Sequence, residues 1–405
     1  MYNKIPKNWE KVKLKKYIEI VRGVNYKSNE VYDYKNDNTT GILRANNISN
    51  NGMLNFEKII YVDNKNIKNE QMIKNGDIVI AMSSGSKNLV GKAAQAKQNL
   101  NFAFGAFCSV VRPKNINSDF LGFYFLTDYY RNKISELSTG ININNLRKDY
   151  IENLDIMVPL DPKEQEKIVQ VLDTMSDIIR LREECISHTQ DLIPALFQEM
   201  FDNPQTNKKN WQICCLKDLA KIDRQNISPE ELKTKQYTYI GLEHIEKETG
   251  RILVDSNSQQ DIDLKSNKFF FTSNHVLYGK LRPYLNKVAL PNFDGVCSTD
   301  IFPLLPLEGI SNKYFLKVLM STSYFVNMAN SQSSGANLPR IGTTALENIK
   351  VFKPDYILQE QFAQKVIEIE SYIKEQQEEL ENAKQMFQAL LHHAFTGELT
   401  NNKSQ

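Results

Sequence analysis

The segment Gly85-Ser-Lys-Asn-Leu-Val-Gly91-Lys92-Ala93 carries the glycines and the lysine of a phosphate-binding loop. It departs from that motif twice. Five residues rather than four separate the glycines, and Ala93 stands where a Ser or Thr must hold magnesium. No nucleotide site is expected there. The histidines His188, His244, His275, His392 and His393 lack the spacing of metal ligands. Ser83-Ser84-Gly85-Ser86 lacks the setting of a nucleophile elbow. No Gly-x-Gly-x-x-Gly opens a helix, and the Asn/Asp-Pro-Pro-aromatic motif of amino-methyltransferases does not occur. No catalytic residue and no metal ligand is assigned.

What remains is a set of side chains suited to a polyanion. Lys, Arg, hydroxyls and amides contact phosphate, and Arg, Asn and Gln read base edges best. In the first half of the chain the candidates are Arg22, Tyr26, Arg44, Asn46, Asn47, Ser84, Ser86, Lys87, Asn88, Lys92, Asn142, Asn144 and Arg147. In the second half they are Arg224, Gln225, Lys280, Arg282, Tyr284, Lys287, Ser334, Asn337 and Arg340. For any one of them, a plain solvated role competes with a contact to DNA. The Ser- and Gly-rich loops are favoured, because glycine lets backbone N–H groups approach a phosphate closely.

The elements that must hold these loops come in duplicate. Trp9…Leu14 matches Trp211…Leu216, and Val90-Gly-Lys92 matches Leu285-Asn-Lys287. Ser138-Thr-Gly140 matches Ser333-Ser-Gly335, Glu152-Asn-Leu154 matches Glu347-Asn-Ile349, and Pro159 matches Pro354. Glu164-Gln165 is paired in the same way with Glu360-Gln361. A repeat this long is a duplicated domain rather than a solenoid. Each copy begins with short apolar runs between turn residues. The runs Ile78–Met82, Phe107–Val111, Leu154–Val158, Val276–Tyr278 and Ile349–Phe352 predict strands. Phe120–Ile134 and Lys313–Met328 predict helices, so the class is α+β.

Each copy ends in a long helix. Ile168, Leu172, Met175, Ile179, Arg182, Ile186, Thr189, Ile193, Leu196 and Met200 step by four and three. Phe362, Val366, Ile369, Ile373, Gln376, Leu380, Ala383, Phe387, Leu390 and Ala394 repeat those steps. Such spacing marks a coiled-coil seam. Two amphipathic core helices of unrelated domains are the plainer alternative. The shared length, phase and acidity favour helices that pair with each other, with Ile179, Ile186, Leu380 and Phe387 buried in the seam. Paired antiparallel, they would make a spacer of roughly 50 Å between two heads. Pro194 is expected to kink the first helix or end it locally.

Charge follows the same division. Residues 1–160 carry 23 Lys and Arg against 15 Asp and Glu, and residues 204–355 carry 19 against 15. Residues 161–203 carry 4 against 10, and residues 356–405 carry 4 against 8. Two basic parts that face an anion alternate with two acidic helices. The domains are therefore drawn at 1–160 and 204–355, with spacer helices at 161–203 and 356–405. The apolar fraction of 41% excludes a disordered or collagen-like chain. No apolar run reaches the length of a membrane span, and no signal peptide is evident. The five cysteines are scattered, and a cytoplasmic protein with reduced thiols is expected.

Taken together, the chain resembles the specificity subunit of type I restriction–modification systems. The motifs are the openings Trp9…Leu14 and Trp211…Leu216, the Gly76-Asp77-Ile-Val strand, and the ending of each repeat. Those endings run from Ser138-Thr-Gly140 through Leu146, Tyr150, Leu154 and Pro159, and from Ser333-Ser-Gly335 through Leu338-Pro339-Arg340-Ile341, Ile349 and Pro354. Phe395-Thr-Gly397-Glu-Leu399 closes the second. The resemblance implies two tandem target-recognition domains, each reading one half of a bipartite DNA site, separated by two helices in an antiparallel coiled coil. It implies a chain without a catalytic centre or cofactor. S-adenosylmethionine, for adenine N6 methylation, would lie in modification subunits docked on the helices. ATP and Mg²⁺ would serve restriction and translocase subunits. The second half offers Lys280-Leu-Arg282-Pro-Tyr284 where the first has Ser83–Asn88, so base contacts do not carry over between halves. A specificity factor of a related defence system, a diverged methyltransferase or nuclease, and a coiled-coil scaffold indifferent to DNA stay open as alternatives.

Overall fold

The computed structural model describes residues 5–49, 51–84, 89–139, 145–235, 237–254 and 266–401. Its contacts divide the chain into two units, Met1–Glu183 with Glu378–Gln405, and Glu184–Gln377. Among the described residues, no helix is long and apolar enough to cross a membrane.

In the first unit the strands are Trp9–Lys13 (β1), Ile18–Arg22 (β2), Val31–Tyr32 (β3), Thr39–Leu43 (β4), Ile60–Asp63 (β5), Ile78–Ala81 (β6), Ala93–Gln95 (β7), Phe102–Phe104 (β8), Cys108–Pro113 (β9) and Asp155–Pro159 (β10). An antiparallel sheet runs in the order β2-β9-β6-β7, and β1 pairs with β10. A further sheet, β3-β5-β4-β8, ends in the parallel pair β4–β8. All four residues of β6 are buried, as a strand covered on both faces requires.

The expected helix over 120–134 is two helices, Ser118–Tyr124 (α1) and Asp128–Thr139 (α2). Thr127 breaks it. Its hydroxyl donates to the Tyr124 carbonyl at 2.7 Å and accepts from the Tyr130 N–H at 3.2 Å, stopping one helix and capping the next. A third, short helix is Lys148–Glu152 (α3), and Pro162–Phe201 (α4) follows β10. The buried Gln165 fixes that junction. Its amide donates to the Pro159 carbonyl at 3.0 Å and accepts from the Asn117 N–H at 3.0 Å.

The second unit repeats this plan with Gln212–Cys215 (β11), Ala220–Ile222 (β12), Asn226–Ile227 (β13), Thr238–Ile240 (β14), Lys268–Phe271 (β15), Val276–Gly279 (β16), Val288–Ala289 (β17), Gly295–Cys297 (β18), Ile301–Pro306 (β19) and Lys350–Lys353 (β20). The sheet β12-β19-β16-β17 copies the first unit's main sheet, and β11 pairs with β20. The smaller sheet differs. Its order is β13-β15-β18-β14, so the strand at the edge in one unit lies inside in the other. The helices are Pro229–Thr234 (α5), Lys313–Ser321 (α6), Ser323–Ser331 (α7), Thr343–Glu347 (α8), Tyr356–Thr396 (α9) and Glu398–Asn401 (α10). Here too the expected single helix over 313–328 is broken, at Thr322, whose side chain caps α7. The residue equivalent to Gln165 is Gln359, not Gln361. Gln359 donates to the Pro354 carbonyl at 3.0 Å and accepts from the Asn312 N–H at 3.0 Å.

Both long helices bury the seam side of their heptads. Ile186 and Leu380 are buried, while Ile179 and Phe387 are half-buried. In the first unit, Arg182 pairs with Glu379, and Glu183 lies 3.0 Å from Lys384. In the second unit, the buried Gln376 meets Thr189 at 3.4 Å and Cys185 Sγ at 3.2 Å. Pro194 does not end α4, which runs on to Phe201. Each core takes in helix residues. Ile168, Leu172, Leu391, Ala394 and Phe395 join Trp9, Phe120 and Tyr124 in the first unit. Phe197, Phe201 and Phe362 join Phe315 and Phe352 in the second.

Candidate nucleic-acid interface

The main sheets put two chain segments side by side at equivalent places. In the first unit, β6 continues into Met82-Ser83-Ser84. The Phe107 carbonyl accepts from the Met82 N–H at 2.8 Å and the Ser83 N–H at 3.1 Å. The Leu146 N–H donates to the Met82 carbonyl at 2.6 Å, and Ser83 bridges Asn145. In the second unit, β16 continues into Lys280-Leu281-Arg282. The Asp300 carbonyl accepts from the Lys280 N–H at 3.0 Å, the Ile341 N–H donates to the Lys280 carbonyl at 3.1 Å, and Leu281 bridges Arg340. The strand registers agree, with Ala81 opposite Cys108 and Gly279 opposite Ile301. Position 83 therefore corresponds to 281, 107 to 300, and 145 to 340.

Of the second-half candidates, Lys280, Arg282, Ser334, Asn337 and Arg340 come together on these loops. Asp300 is their anion, 3.6 Å from Lys280 Nζ and 3.3 Å from Arg340 Nε. The Arg282 backbone, at φ 52°, donates to the Pro339 carbonyl at 2.7 Å, and its Nη2 donates to the Asn337 carbonyl at 3.4 Å. Ser334 and Arg340 exchange backbone hydrogen bonds, closing the glycine-containing loop. Tyr284 is exposed on the neighbouring turn. Arg224, at the end of β12, reaches Thr343 Oγ1 at 3.4 Å, next to the same loop. Its register partner in the first unit is Arg22, exposed at the end of β2.

The first-half candidates are more dispersed. Ser84 lies on the cluster, and the exposed Arg147 stands at the N-cap position of α3 beside it. Arg147 pairs with Asp149 at 3.0 Å and stacks on Tyr150. Lys87, Asn88 and Asn142, with Ser86 and Asn144, lie outside the described residues. Arg44 and Asn46 stand on a different turn, where Arg44 Nη2 donates to the Lys58 carbonyl at 2.9 Å.

One candidate is corrected. Asn47 is fully buried, and its amide bonds the Arg44 N–H and the Glu57 carbonyl, so it holds the turn and meets no ligand. Lys287 is half-buried, and its ammonium donates one hydrogen bond, to the Leu242 carbonyl at 2.6 Å. Its counterpart Lys92 is half-buried, and burial pushes its pKa down, with nearby Arg131 adding to the effect. Two residues of the cluster were missed. Phe107 reads as the first residue of an apolar strand, and Asp300 has the wrong charge for a phosphate contact. Only the pairing of β6 with β9 and of β16 with β19 brings them in. Among the described residues there is no group of His, Cys, Asp and Glu able to hold a metal.

Fold and site together define a two-copy recognition protein, in which each copy displays polar loops from the end of an antiparallel sheet. The chain belongs to the type I restriction modification DNA specificity domain family, whose model matches residues 6–187 and 208–383. It is 28% identical to the type I restriction enzyme StySPI specificity subunit of Salmonella potsdam, over 98% of this chain and 90% of that protein. It is 40% identical to the EcoKI specificity subunit of Escherichia coli K12, over 42% of this chain and 37% of that one. The fold is also that of a chain in a solved type I R-M system assembly, with a TM-score of 0.58, 15% identity, and 98% and 100% of the two chains covered. The S subunit from M. genitalium shares it with a TM-score of 0.50 at 14% identity, over 97% of each chain.

Proposed function

We propose that each unit reads one half of a bipartite DNA target, and that the chain is the non-catalytic specificity subunit of a methylating and restricting complex. The observation that carries this reading is the duplicated loop cluster, Ser83–Ser84 with Asn145–Arg147 and Lys280–Arg282 with Ser334–Arg340. Phosphate contacts from such loops hold a protein in register, and a few side chains at their tips read bases. Membership in the DNA specificity family supports it. The modification subunits would bring S-adenosylmethionine, and the restriction subunits would use ATP and Mg²⁺. This chain supplies no reacting group. Exposed apolar side chains on the helices of the first unit support docking of modification subunits. Val171, Ile178 and Leu181 on α4, with Met386 on α9, are all exposed. Val171 and Ile178 line one shallow depression with Met175 and Leu390, and exposed apolar surface of that kind marks a protein contact.

Two measurements test the reading. Replacing residues 1–160 with another recognition domain should change one half of the methylated motif and leave the other intact, read by methylation sequencing of host DNA. A simultaneous change in both halves refutes the division of labour. Affinity of the reconstituted complex for DNA should also fall linearly in log–log form as salt rises, because bound phosphates release counterions. A flat response removes the argument.

A further inference from the structure

We propose that Phe107 is a specificity-determining residue, whose ring contacts the C5-methyl group of a thymine in the half-site read by the first unit. This rests on the DNA-reading function above. Phe107 is 69% exposed, the most exposed aromatic side chain among the described residues. It is not on a loose loop. Its carbonyl takes two N–H donors from Met82 and Ser83, the Cys108 N–H closes the turn onto Gly105 at 2.8 Å, and the Gly105 N–H bonds the Leu43 carbonyl at 2.9 Å. Phe107 sits in the turn that leads into β9, and its ring is exposed where the next four residues, Cys108 to Val111, are buried. The backbone beside it, at Ser83, Ser84 and Asn145, carries hydroxyl and amide side chains. Among the described residues, the cluster thus presents one large exposed apolar group on a fixed backbone.

The equivalent position in the second unit has the opposite chemistry. Asp300 lies there, holding Lys280 and Arg340. Two copies of one scaffold that read different half-sites are expected to differ at the positions that touch bases. In the major groove, base-pair edges present donors, acceptors and a single apolar group, the thymine methyl. An aromatic ring placed among polar side chains fits that group and finds no counterpart on a G·C pair.

The test uses the reconstituted complex with its modification subunits. The methylated motif is read first by sequencing. Duplexes are then made in which each thymine of the first-unit half-site, on either strand, is replaced singly by uracil, which removes only the methyl. At one position uracil should weaken binding roughly fourfold, the worth of one buried methyl. Phe107→Ala should lose a similar factor on the thymine duplex and become indifferent to uracil there, whereas Phe107→Leu retains most of the discrimination. Sensitivity to changes in the other half-site should not move. The proposal is overturned if that half-site contains no thymine on either strand, or if uracil is neutral at every position. It is also overturned if Phe107→Ala keeps the wild-type uracil effect, or weakens assembly with the modification subunits instead. Sequence-specific, salt-dependent binding by the wild-type complex separates these outcomes from failure of the DNA-reading function itself.

Discussion

Asp77 and His275 show how one position of a duplicated fold takes two electrostatic solutions. Each precedes the central strand of its main sheet, β6 or β16, and each accepts a backbone N–H three residues earlier, Lys74 at 2.9 Å or Thr272 at 3.0 Å. Asp77 is buried and held by both arms of Arg112, at 2.7 and 2.9 Å. Bonding to Asp77 raises the Arg112 pKa further. Removing one partner of such a pair leaves the other charge buried alone. Arg112→Ala should therefore destabilise the first unit by about 3–5 kcal/mol, read by urea unfolding. His275 is buried with Nε2 unsatisfied and 3.7 Å from Asp223. Burial lowers its pKa, and Asp223 and Asp294 only partly oppose that. With the folded pKa below the unfolded one, the unfolded chain binds the extra proton first. Stability from this residue is full above the unfolded value of about 6.5 and declines as pH falls through it. The melting temperature of wild type relative to His275→Asn should fall on acidification below about pH 6.5. A constant difference across that range would exclude the histidine as its source.

The helices show which part of an element is legible. The step of four and three along α4 and α9 reads directly as a seam, because burial along a helix follows a fixed period. Its polar positions did not reveal their partners. Gln376 occupies the heptad place of Arg182, yet Gln376 meets Thr189 and Cys185 inside the second unit, while Arg182 turns to Glu379 in the first. Equivalent positions in the two copies face different neighbours, and one chain's periodicity cannot show that. The split of 118–139 and of 313–331 was hidden for a related reason. Apolar spacing continues across Thr127 and Thr322, and only the capping bonds mark the break. Burial grades the consequences of truncation. Leu380→Ala and Ile186→Ala should cost about 2–5 kcal/mol each, and the half-buried Ile179→Ala less. Gln376→Leu should leave stability equal or raised, since a buried polar contact in a seam sets register at some cost in stability. Chemical denaturation of the four variants checks the order, and a large loss for Gln376→Leu would contradict the last expectation.

At the scale of the whole chain, the duplication was legible from matched motifs, and the loop cluster was partly so. Lys280, Arg282 and Arg340 could be named from type and setting, whereas Phe107 and Asp300 needed strand pairing. The periodic pattern also left open which core each helix end completes. The first unit is not a continuous stretch of chain, because Glu378–Gln405 belongs to it. Phe395 packs 4.8 Å from Phe120 and 5.7 Å from Tyr124, and Phe387 lies 6.1 Å from Phe123, measured between ring centres. Leu391 and Ala394 are buried in the same cluster. The residues farthest from Trp9 in sequence thus finish the core that Trp9 begins. Phe395→Ala removes a buried ring and should cost about 3–5 kcal/mol. The loss should fall on the first unit, not on the unit nearer in sequence. Amide hydrogen exchange reads this directly. Protection should drop in β6, β9 and α1 while β16, β19 and α6 keep theirs, and the variant complex should lose sensitivity to sequence changes in one half-site only. Equal loss of protection in both units would mean that the chain unfolds as a single cooperative body, and the contact-defined division would then have no thermodynamic meaning.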